Sequence, residues 1–313
     1  MQRLILALLL AGTLAAADLK IGIIGLDTSH VTAFTELLNN ASNPKHIAGA
    51  RVVAAYRGGS PDVEASYTRL DKFTAQLKTK YGVEIVPDIA SLVQKVDAVL
   101  LESVDGRVHL EQVRPVFAAH KRVFIDKPLA STYADAKEIA RLGRETGTPW
   151  FSASSERYNT LVTEIQTPPI LGAITWGPSE IEPHHQLELS WYGIHAVEML
   201  YALMGTGCES VTSTSTPNAD LVVGRWKDGR LGAVRAGRGP GYYSFGAVVY
   251  TPQGSKQAQP TKQSFYPNLL ADVVKFFETG VAPVPNDETL EEFAFMDAAQ
   301  RSKDAGGTPM RLQ

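Results

Sequence analysis

Leu19-Lys-Ile-Gly-Ile-Ile-Gly-Leu-Asp-Thr-Ser-His30 is the stretch that decides the fold. Its first half is a continuous apolar run, typical of a strand that is buried on both faces of a parallel sheet. Its second half turns at Gly25 and leads into residues 31–38, where apolar residues recur three and four positions apart, as in a helix. A strand, a tight turn and a helix in this order predict the start of a dinucleotide-binding unit, whose helix N-terminus meets a phosphate.

The glycine pattern of such a unit, G-x-G-x-x-G, is incomplete in this chain. If Gly25 is the first glycine, the second and third positions hold Asp27 and His30. The second glycine normally lets the backbone approach a pyrophosphate, which a carboxylate cannot do. We predict a cofactor-binding turn from Gly25, Asp27, Thr28, Ser29 and His30. The alternatives are that these polar residues bind sugar hydroxyls or only cap the helix.

The composition is that of a globular protein. The chain has 313 residues, 44% of them hydrophobic and 20% charged, enough for one large or two ordinary domains. The formal net charge is −3 and the sequence has no basic run, so we expect no nucleic-acid partner. A lone cysteine, Cys208, cannot form an internal disulfide, so stability must come from packing.

Residues 1–17 have the pattern of a cleaved secretory signal peptide. Arg3 is followed by an apolar run over residues 4–14 and by Ala15-Ala16-Ala17 before Asp18. The alternatives are an apolar first strand and a membrane anchor, but the run is too short to span a bilayer. We therefore expect an exported protein, periplasmic or secreted, without a membrane partner after cleavage.

Strands and helices alternate as far as residue 153. Strand patterns at 50–56, 97–102, 122–128 and 149–153 alternate with helical patterns at 63–80, 108–119 and 133–146. This rhythm predicts a doubly wound parallel sheet, an α/β domain of the Rossmann type over residues 18–155.

The rhythm changes in residues 156–313. A helical pattern at 190–204 is followed by alternating runs with turns at Asp228-Gly229, Gly239-Pro-Gly241 and Gln253-Gly254. Helical patterns at 269–278 and 288–302 close the chain. We predict an α+β domain with a mostly antiparallel sheet.

Several polar and aromatic residues are candidates for ligand contacts. Arg57 follows the second strand, where a basic residue favours NADP, although a surface loop arginine is the commoner case. Arg157 and Tyr158 follow the fifth strand and are candidate substrate contacts. Trp191 and Tyr192 could stack on a carbohydrate, although buried aromatic residues more often fill the core.

A second interpretation concerns metal binding. Imidazoles and carboxylates that together could bind a transition metal fall within one short stretch: His184, His185, Glu188, His195 and Glu198. Since their spacing matches no known ligand pattern, we expect polar residues that line a sugar-binding cleft, with His185 among the substrate contacts, and no metal.

With these elements placed, the sequence resembles the Gfo/Idh/MocA oxidoreductases over nearly all of the mature chain. The resemblance rests on the turn at Gly22 and Gly25, the strand, loop and histidine of 99–109, Val123-Phe-Ile-Asp-Lys-Pro-Leu-Ala130, Gly193-Ile-His195 and the closing stretch 277–302. It implies a Rossmann domain followed by a sheet domain that covers the cofactor and holds a sugar or polyol.

The resemblance also implies roles for particular residues. Lys127 becomes the active-site lysine, which contacts cofactor and substrate, and His195 the general acid or base. Val104, His109 and Asp126 fall on the cofactor side. The implied cofactor is NAD or NADP, and the sheet of the second domain is the candidate interface of a homo-oligomer.

Three positions depart from the family pattern. Trp191 replaces the usual aspartate four residues before His195, Asp126 replaces a glutamate, and Val104-Asp105 replaces Thr-Pro. The first hypothesis is an exported NAD(P)-dependent oxidoreductase for a sugar, polyol or sugar derivative. The alternatives are a glycoside-processing enzyme that recycles a retained cofactor without net redox, and a non-catalytic carbohydrate-binding protein.

Overall fold

A computed structural model describes residues 17–242, 244–257 and 265–313. Residues 1–16 of the predicted signal peptide lie outside these ranges. Within the described ranges, no helix combines the length and the apolar character that crossing a membrane requires.

Six parallel strands form the first sheet, in the order β3-β2-β1-β4-β5-β6. They are β1 (Leu19–Ile24), β2 (Ala50–Tyr56), β3 (Glu84–Val86), β4 (Ala98–Leu101), β5 (Arg122–Asp126) and β6 (Trp150–Ala153). The predicted doubly wound sheet is confirmed, with β3 as an additional strand at its edge. The strand order reverses between β1 and β4, and ligands of such folds bind outside the carboxyl ends of the strands at this point.

The helices that connect these strands follow the predicted pattern, apart from an additional helix at 89–93 and the division of one expected helix. They are α1 (Ser29–Asn39), α2 (Glu64–Tyr67), α3 (Leu70–Tyr81), α4 (Ile89–Val93), α5 (His109–Ala118) and α6 (Tyr133–Thr146). The single helix expected over residues 63–80 is divided at Thr68 and Arg69. The hydroxyl of Ser66 in α2 is bonded to Asp27 and to the backbone of Ser60, which anchors α2 to the loops, whereas α3 packs on the sheet.

The second sheet has seven strands in the order β12-β11-β7-β10-β9-β8-β13. They are β7 (Gly172–Pro178), β8 (Cys208–Thr216), β9 (Ala219–Trp226), β10 (Leu231–Gly237), β11 (Gly246–Thr251), β12 (Gly254–Gln257) and β13 (Met310–Arg311). Only the β7–β10 pair of this described sheet is parallel. The expected mostly antiparallel sheet is therefore confirmed.

The remaining helices join the two sheets. A 3-10 helix (Ser155–Tyr158) and α7 (Thr160–Thr163) follow β6, and α8 (Glu188–Trp191) precedes α9 (Ile194–Met204), which covers the inner face of the second sheet. Near the end of the chain, α10 (Tyr266–Thr279) returns to the first sheet, while α11 (Asn286–Asp304) packs beside α6 and β8. The expected helix over 190–204 is thus two helices, separated at Tyr192 and Gly193.

Gly25 sets the distance between the first two loops of the switch point. Its φ is +85°, and a Cβ added to it would lie 2.5 Å from the backbone of Ser103, which follows β4. The turn after β1 therefore touches the loop after β4 directly, and only glycine permits both the conformation and the contact.

We expect Gly25→Ala to destabilise the fold more than a matched substitution at Gly82. Gly82 also has a positive φ, +66°, but a Cβ there meets nothing within 4 Å. Backbone strain costs about 1–2 kcal/mol at either site, and overpacking adds about 1–3 kcal/mol at Gly25 only. Urea unfolding of both variants measures the difference, and equal losses would contradict the close contact at Ser103.

Candidate active site

One cavity of about 520 Å³ lies at the carboxyl edge of the first sheet, against residues of the second domain. Its walls combine helix α1, the end of β5, the 3-10 helix and the break between α8 and α9. The predicted site residues that line it are Thr28, Ser29, His30, Val104, Lys127, Trp191, Tyr192 and His195. The fold therefore brings residues from both halves of the chain to one place.

The N-terminus of α1 faces this cavity. Thr28 is the cap residue, whose hydroxyl accepts a hydrogen bond from the backbone N–H of His30 at 3.4 Å, and the helix begins at Ser29. Arg69, at the division between α2 and α3, lines the same cavity. Because a helix N-terminus carries free N–H groups and a partial positive charge, this part of the cavity suits an anion.

Asp27 points away from the cavity into the loops. Its side chain is fully buried, and its carboxylate accepts hydrogen bonds from the Ser66 hydroxyl at 2.6 Å and from the backbone N–H of Val104 at 3.0 Å. Burial raises the pKa of Asp27 above its usual value. The carboxylate at the second glycine position thus joins three loops and is not presented to a ligand.

Lys127 and His195 lie at the centre of the cavity. The Lys127 ammonium lies 5.4 Å from the centre of the Tyr192 ring, and Nδ1 of His195 lies 2.6 Å from the Ser154 hydroxyl. Burial lowers the pKa of Lys127. Burial and the positive charge of Lys127 hold the pKa of His195 well below its usual value. At neutral pH the His195 imidazole is therefore uncharged, and its Nε2 can accept a proton in the tautomer whose Nδ1–H donates to Ser154.

A buried cluster lies beside Lys127. Nδ1 of His30 lies 2.6 Å from a carboxylate oxygen of Asp126 and 3.8 Å from one of Glu102. Burial and the neighbouring Asp126 hold the pKa of Glu102 well above its usual value. Burial opposes ionisation of Asp126 as well, yet the nearby His30 lowers its pKa.

His185 supports the cavity wall from behind. Its Nε2 lies 3.1 Å from Asp105 and its Nδ1 3.1 Å from the Ser190 hydroxyl, and its ring meets Trp191 edge-on at 5.1 Å. Although burial opposes ionisation of Asp105, hydrogen bonds from His185 and Arg107 lower its pKa. His185, predicted as a substrate contact, holds the Trp191 ring in place from outside the cavity lining.

Two residues predicted to bind the cofactor lie elsewhere. Arg57 pairs with Asp71 at the surface. His109 is fully buried between the backbone carbonyls of Ser103, at 2.7 Å, and Leu129, at 3.2 Å. His109 therefore ties the loop after β4 to the loop after β5 and shapes the site indirectly.

Arg157 and Tyr158 are placed behind the cavity as well. The Arg157 guanidinium pairs with three carboxylates, those of Glu198, Glu288 and Glu292, and its side chain is only 14% exposed. Tyr158 packs against the core of the first sheet, and burial raises its pKa. Both residues join the 3-10 helix to its neighbours.

The histidine and carboxylate stretch of the second domain does not converge on one point. His184 pairs with Glu182 at the surface, Glu188 with Lys303, and Glu198 with Arg157. His195 lies in the cavity with Ser154 as its partner.

Some cavity residues were not predicted from the sequence: Arg69, Ser155, Glu156, Phe245 and Tyr266. Arg69 gave no signal, because the helical pattern continues through it. Glu102, in the buried cluster, did have a signal. It follows β4 directly, as Asp126 ends β5, and the carboxyl ends of neighbouring parallel strands meet at one edge.

A matched pair of substitutions tests whether Arg157 is structural. We expect Arg157→Met to cost about 3–5 kcal/mol of unfolding free energy, because it leaves buried carboxylates without a cation. The control, Arg141→Met, removes an exposed arginine that pairs with Glu138 and Glu145, and should cost at most about 1 kcal/mol. Denaturant unfolding compares them, and a small loss for Arg157→Met would return Arg157 to the candidate ligand contacts.

The family model described as "oxidoreductase family, NAD-binding Rossmann fold" matches residues 19–153. This confirms the predicted resemblance to the Gfo/Idh/MocA oxidoreductases and the NAD or NADP class of cofactor for the domain. No curated protein matches the chain.

Solved structures share the fold of both domains. A myo-inositol dehydrogenase from Lactobacillus casei, in complex with NAD(H) and myo-inositol, has a TM-score of 0.74 at 18% identity and covers 95% of this chain and 97% of its own. A probable dehydrogenase from Thermotoga maritima has a TM-score of 0.72 at 20% identity, over 94% and 99% of the two chains. An Agrobacterium radiobacter oxidoreductase in complex with NAD+, L-tartaric acid and magnesium has a TM-score of 0.71 at 16% identity, over 95% and 99%.

The residues at the α1 end of the cavity suit a phosphate of such a cofactor. The N–H groups at the start of α1 and the Arg69 guanidinium are donors suited to a phosphate. The Asp27 carboxylate does not oppose this, because its oxygens are bonded to Ser66 and Val104.

Proposed function

We propose that this chain, whose N-terminal domain belongs to the Gfo/Idh/MocA oxidoreductases, oxidises or reduces a sugar, polyol or sugar derivative with NAD or NADP. The observation that carries the proposal is the single cavity that joins the α1 N-terminus to Lys127 and His195. The inositol dehydrogenase that shares this fold supports a polyhydroxylated substrate.

The chain's own residues divide the work within this cavity. The α1 N-terminus and Arg69 hold the phosphates, while Lys127 directs its ammonium at a substrate hydroxyl. Neutral His195 takes the hydroxyl proton at Nε2, since Ser154 engages Nδ1. The bound nicotinamide supplies the acceptor or donor of hydride. Tyr192 and Trp191 provide aromatic surface for the apolar face of a sugar ring.

Nucleotide titration and a substrate panel test this function. The purified chain should bind at least one of NAD(H) and NADP(H), and a polyol or sugar should change the absorbance of the nicotinamide. Absence of nucleotide binding would contradict the proposal. Turnover of a glycoside with a retained cofactor and no net absorbance change would favour the non-redox alternative instead.

His195→Asn should lower kcat by about 10²–10⁴-fold, because a positioned acid or base contributes that much. Nucleotide affinity should stay within a few-fold, since the α1 N-terminus and Arg69 are unchanged. The control, His184→Asn, alters an exposed histidine outside the cavity lining and should keep wild-type kinetics. Steady-state kinetics compares the two, and an active His195→Asn enzyme would remove His195 from the mechanism.

The pH profile should report the low pKa of His195. Its Nδ1 lies beside the Ser154 hydroxyl, and the charged and titratable groups that line the cavity with it are Lys127, His30, Arg69, Glu156, Glu180, Tyr192 and Tyr266. Since neutral His195 is the active form in alcohol oxidation, activity should fall with acid only well below pH 6.5. Lys127→Met removes a positive neighbour of His195 and so raises the pKa of the imidazole. The residual activity of this variant should therefore begin to fall with acid at a higher pH than that of the wild type. A wild-type limb at or above pH 6.5 would contradict the assignment.

We also propose that a second copy of the chain covers the outer face of the second sheet. Leu231 on β10 and Tyr250 on β11 are 57% and 45% exposed on this face, and Leu221 on β9 is 45% exposed. A two-fold contact between such faces is self-complementary. Light scattering should give a dimer that Leu231→Glu weakens.

Export is a further part of the proposal. It is supported by the signal-peptide pattern of residues 1–17 alone. Cell fractionation with N-terminal sequencing of the product should find Asp18 as the first residue.

A further inference from the structure

We propose that His30, Glu102 and Asp126 form a binding site for a divalent transition-metal ion such as Zn²⁺ or Mn²⁺. The three side chains come from the first turn of α1, the residue after β4 and the end of β5. One possible ligand atom from each lies within 4.8 Å of the other two. One imidazole and two carboxylates are ligands that first-row divalent ions accept.

Glu102 gives the strongest evidence for a cation. It is 0% exposed, and neither of its carboxylate oxygens meets a hydrogen-bond donor among the described residues. A buried carboxylate without a donor is costly, and native structures pair such groups or place them on metals. The side chain lies against His30, with 3.8 Å between its Oε2 and Nδ1, so Oε2 faces the cluster.

The other two ligands are held in place by their surroundings. The second oxygen of Asp126 accepts the backbone N–H of Lys127 at 2.8 Å, which leaves Oδ2 for the cluster. The His30 ring stacks on Phe34, with 5.4 Å between ring centres, and meets Tyr266 edge-on at 4.8 Å. Hydrogen bonds such as that to Asp126 orient carboxylate ligands in known sites, and the ring contacts restrict the rotation of His30.

The present distances require a small adjustment for a metal. His30 Nδ1 and Asp126 Oδ2 are 2.6 Å apart, whereas ligands of a tetrahedral ion with bonds of about 2.0–2.1 Å lie about 3.3 Å from one another. The distance between these two atoms must therefore increase by about 0.7 Å to admit the ion, which side-chain rotation can provide. The alternative occupant is a proton shared between Glu102 and Asp126, with His30 as its partner.

The site would present an open coordination position to the cavity. Three protein ligands leave a fourth position for water or a substrate oxygen, as in catalytic metal sites. His30 lines the cavity that also holds Lys127 and His195. A hydroxyl or carboxylate oxygen of the ligand in that cavity is therefore the chemical group the ion would bind.

Binding of the metal alone tests the site, and this test does not depend on the redox activity. Chelator-treated full-length chain is titrated with Zn²⁺ and Mn²⁺ by calorimetry, and the bound ion is counted by mass spectrometry after dialysis. Co²⁺ serves as a spectroscopic probe of the ligand set. We expect a single ion per chain, with visible Co²⁺ bands of low-coordinate geometry.

Two substitutions distinguish metal binding at this cluster from metal binding at the protein surface. Glu102→Gln should lower the affinity for the ion by more than a factor of about 10–100, which is the effect of removing an outer-shell group. The control, His184→Asn, removes an exposed histidine near Glu182 and Asp62, a surface set of the same composition, and should leave binding unchanged. Loss of binding in His184→Asn with retention in Glu102→Gln would overturn the proposal, as would no stoichiometric ion in the wild type.

Thermal unfolding keeps the test valid if a variant folds poorly. Metal-free Glu102→Gln should be at least as stable as the metal-free wild type, because it replaces a buried carboxyl group whose oxygens have no hydrogen-bond donor. Added Zn²⁺ should raise the Tm of the wild type and not that of Glu102→Gln. An equal rise in both proteins would show that the ion binds elsewhere.

Discussion

The buried carboxylate of Asp27 is the contact on which the shape of the site depends. It belongs to the turn after β1, and it accepts hydrogen bonds from Ser66 of α2 and from the backbone N–H of Val104 after β4. One side chain thus joins three loops at the carboxyl edge of the parallel sheet. Removing a partner of such a buried group costs about 1–3 kcal/mol, so the loops are fixed and the cavity begins beyond them, at Thr28.

This arrangement explains how the scaffold keeps its order with two glycines of the pattern replaced. Gly25 still supplies the positive φ and the close contact with Ser103. At the other two positions, where the G-x-G-x-x-G pattern has glycine, side chains make hydrogen bonds: Asp27 to the neighbouring loops and His30 to Asp126. Thr28 and Ser29 still line the cavity, so the α1 N-terminus stays accessible to an anion.

Secondary structure could be predicted from the sequence where a segment follows one hydrophobic period, that of a strand or that of a helix. Apolar runs located β2 over 50–56, but β3 has only three residues, and the helical pattern hides the division at Arg69. In the site, the resemblance to the Gfo/Idh/MocA oxidoreductases indicated Lys127 and His195, and the structure places both in the cavity. The role of Arg157 could not be predicted, because its carboxylate partners lie 41 and 135 positions away and only the fold brings them together.

A chain of bonds connects that buried arginine to the cavity. Arg157 pairs with Glu198, Glu198 accepts the backbone N–H of Ser154 at 3.0 Å, and the Ser154 hydroxyl lies 2.6 Å from His195. A hydroxyl can donate or accept, so it holds the imidazole in either tautomer without adding charge. A carboxylate at the position of Trp191 would instead favour the charged imidazolium. Ser154 therefore orients His195 without adding a charge. Burial and the neighbouring Lys127 keep the pKa of the imidazole low, and a neutral imidazole suits the role of proton acceptor.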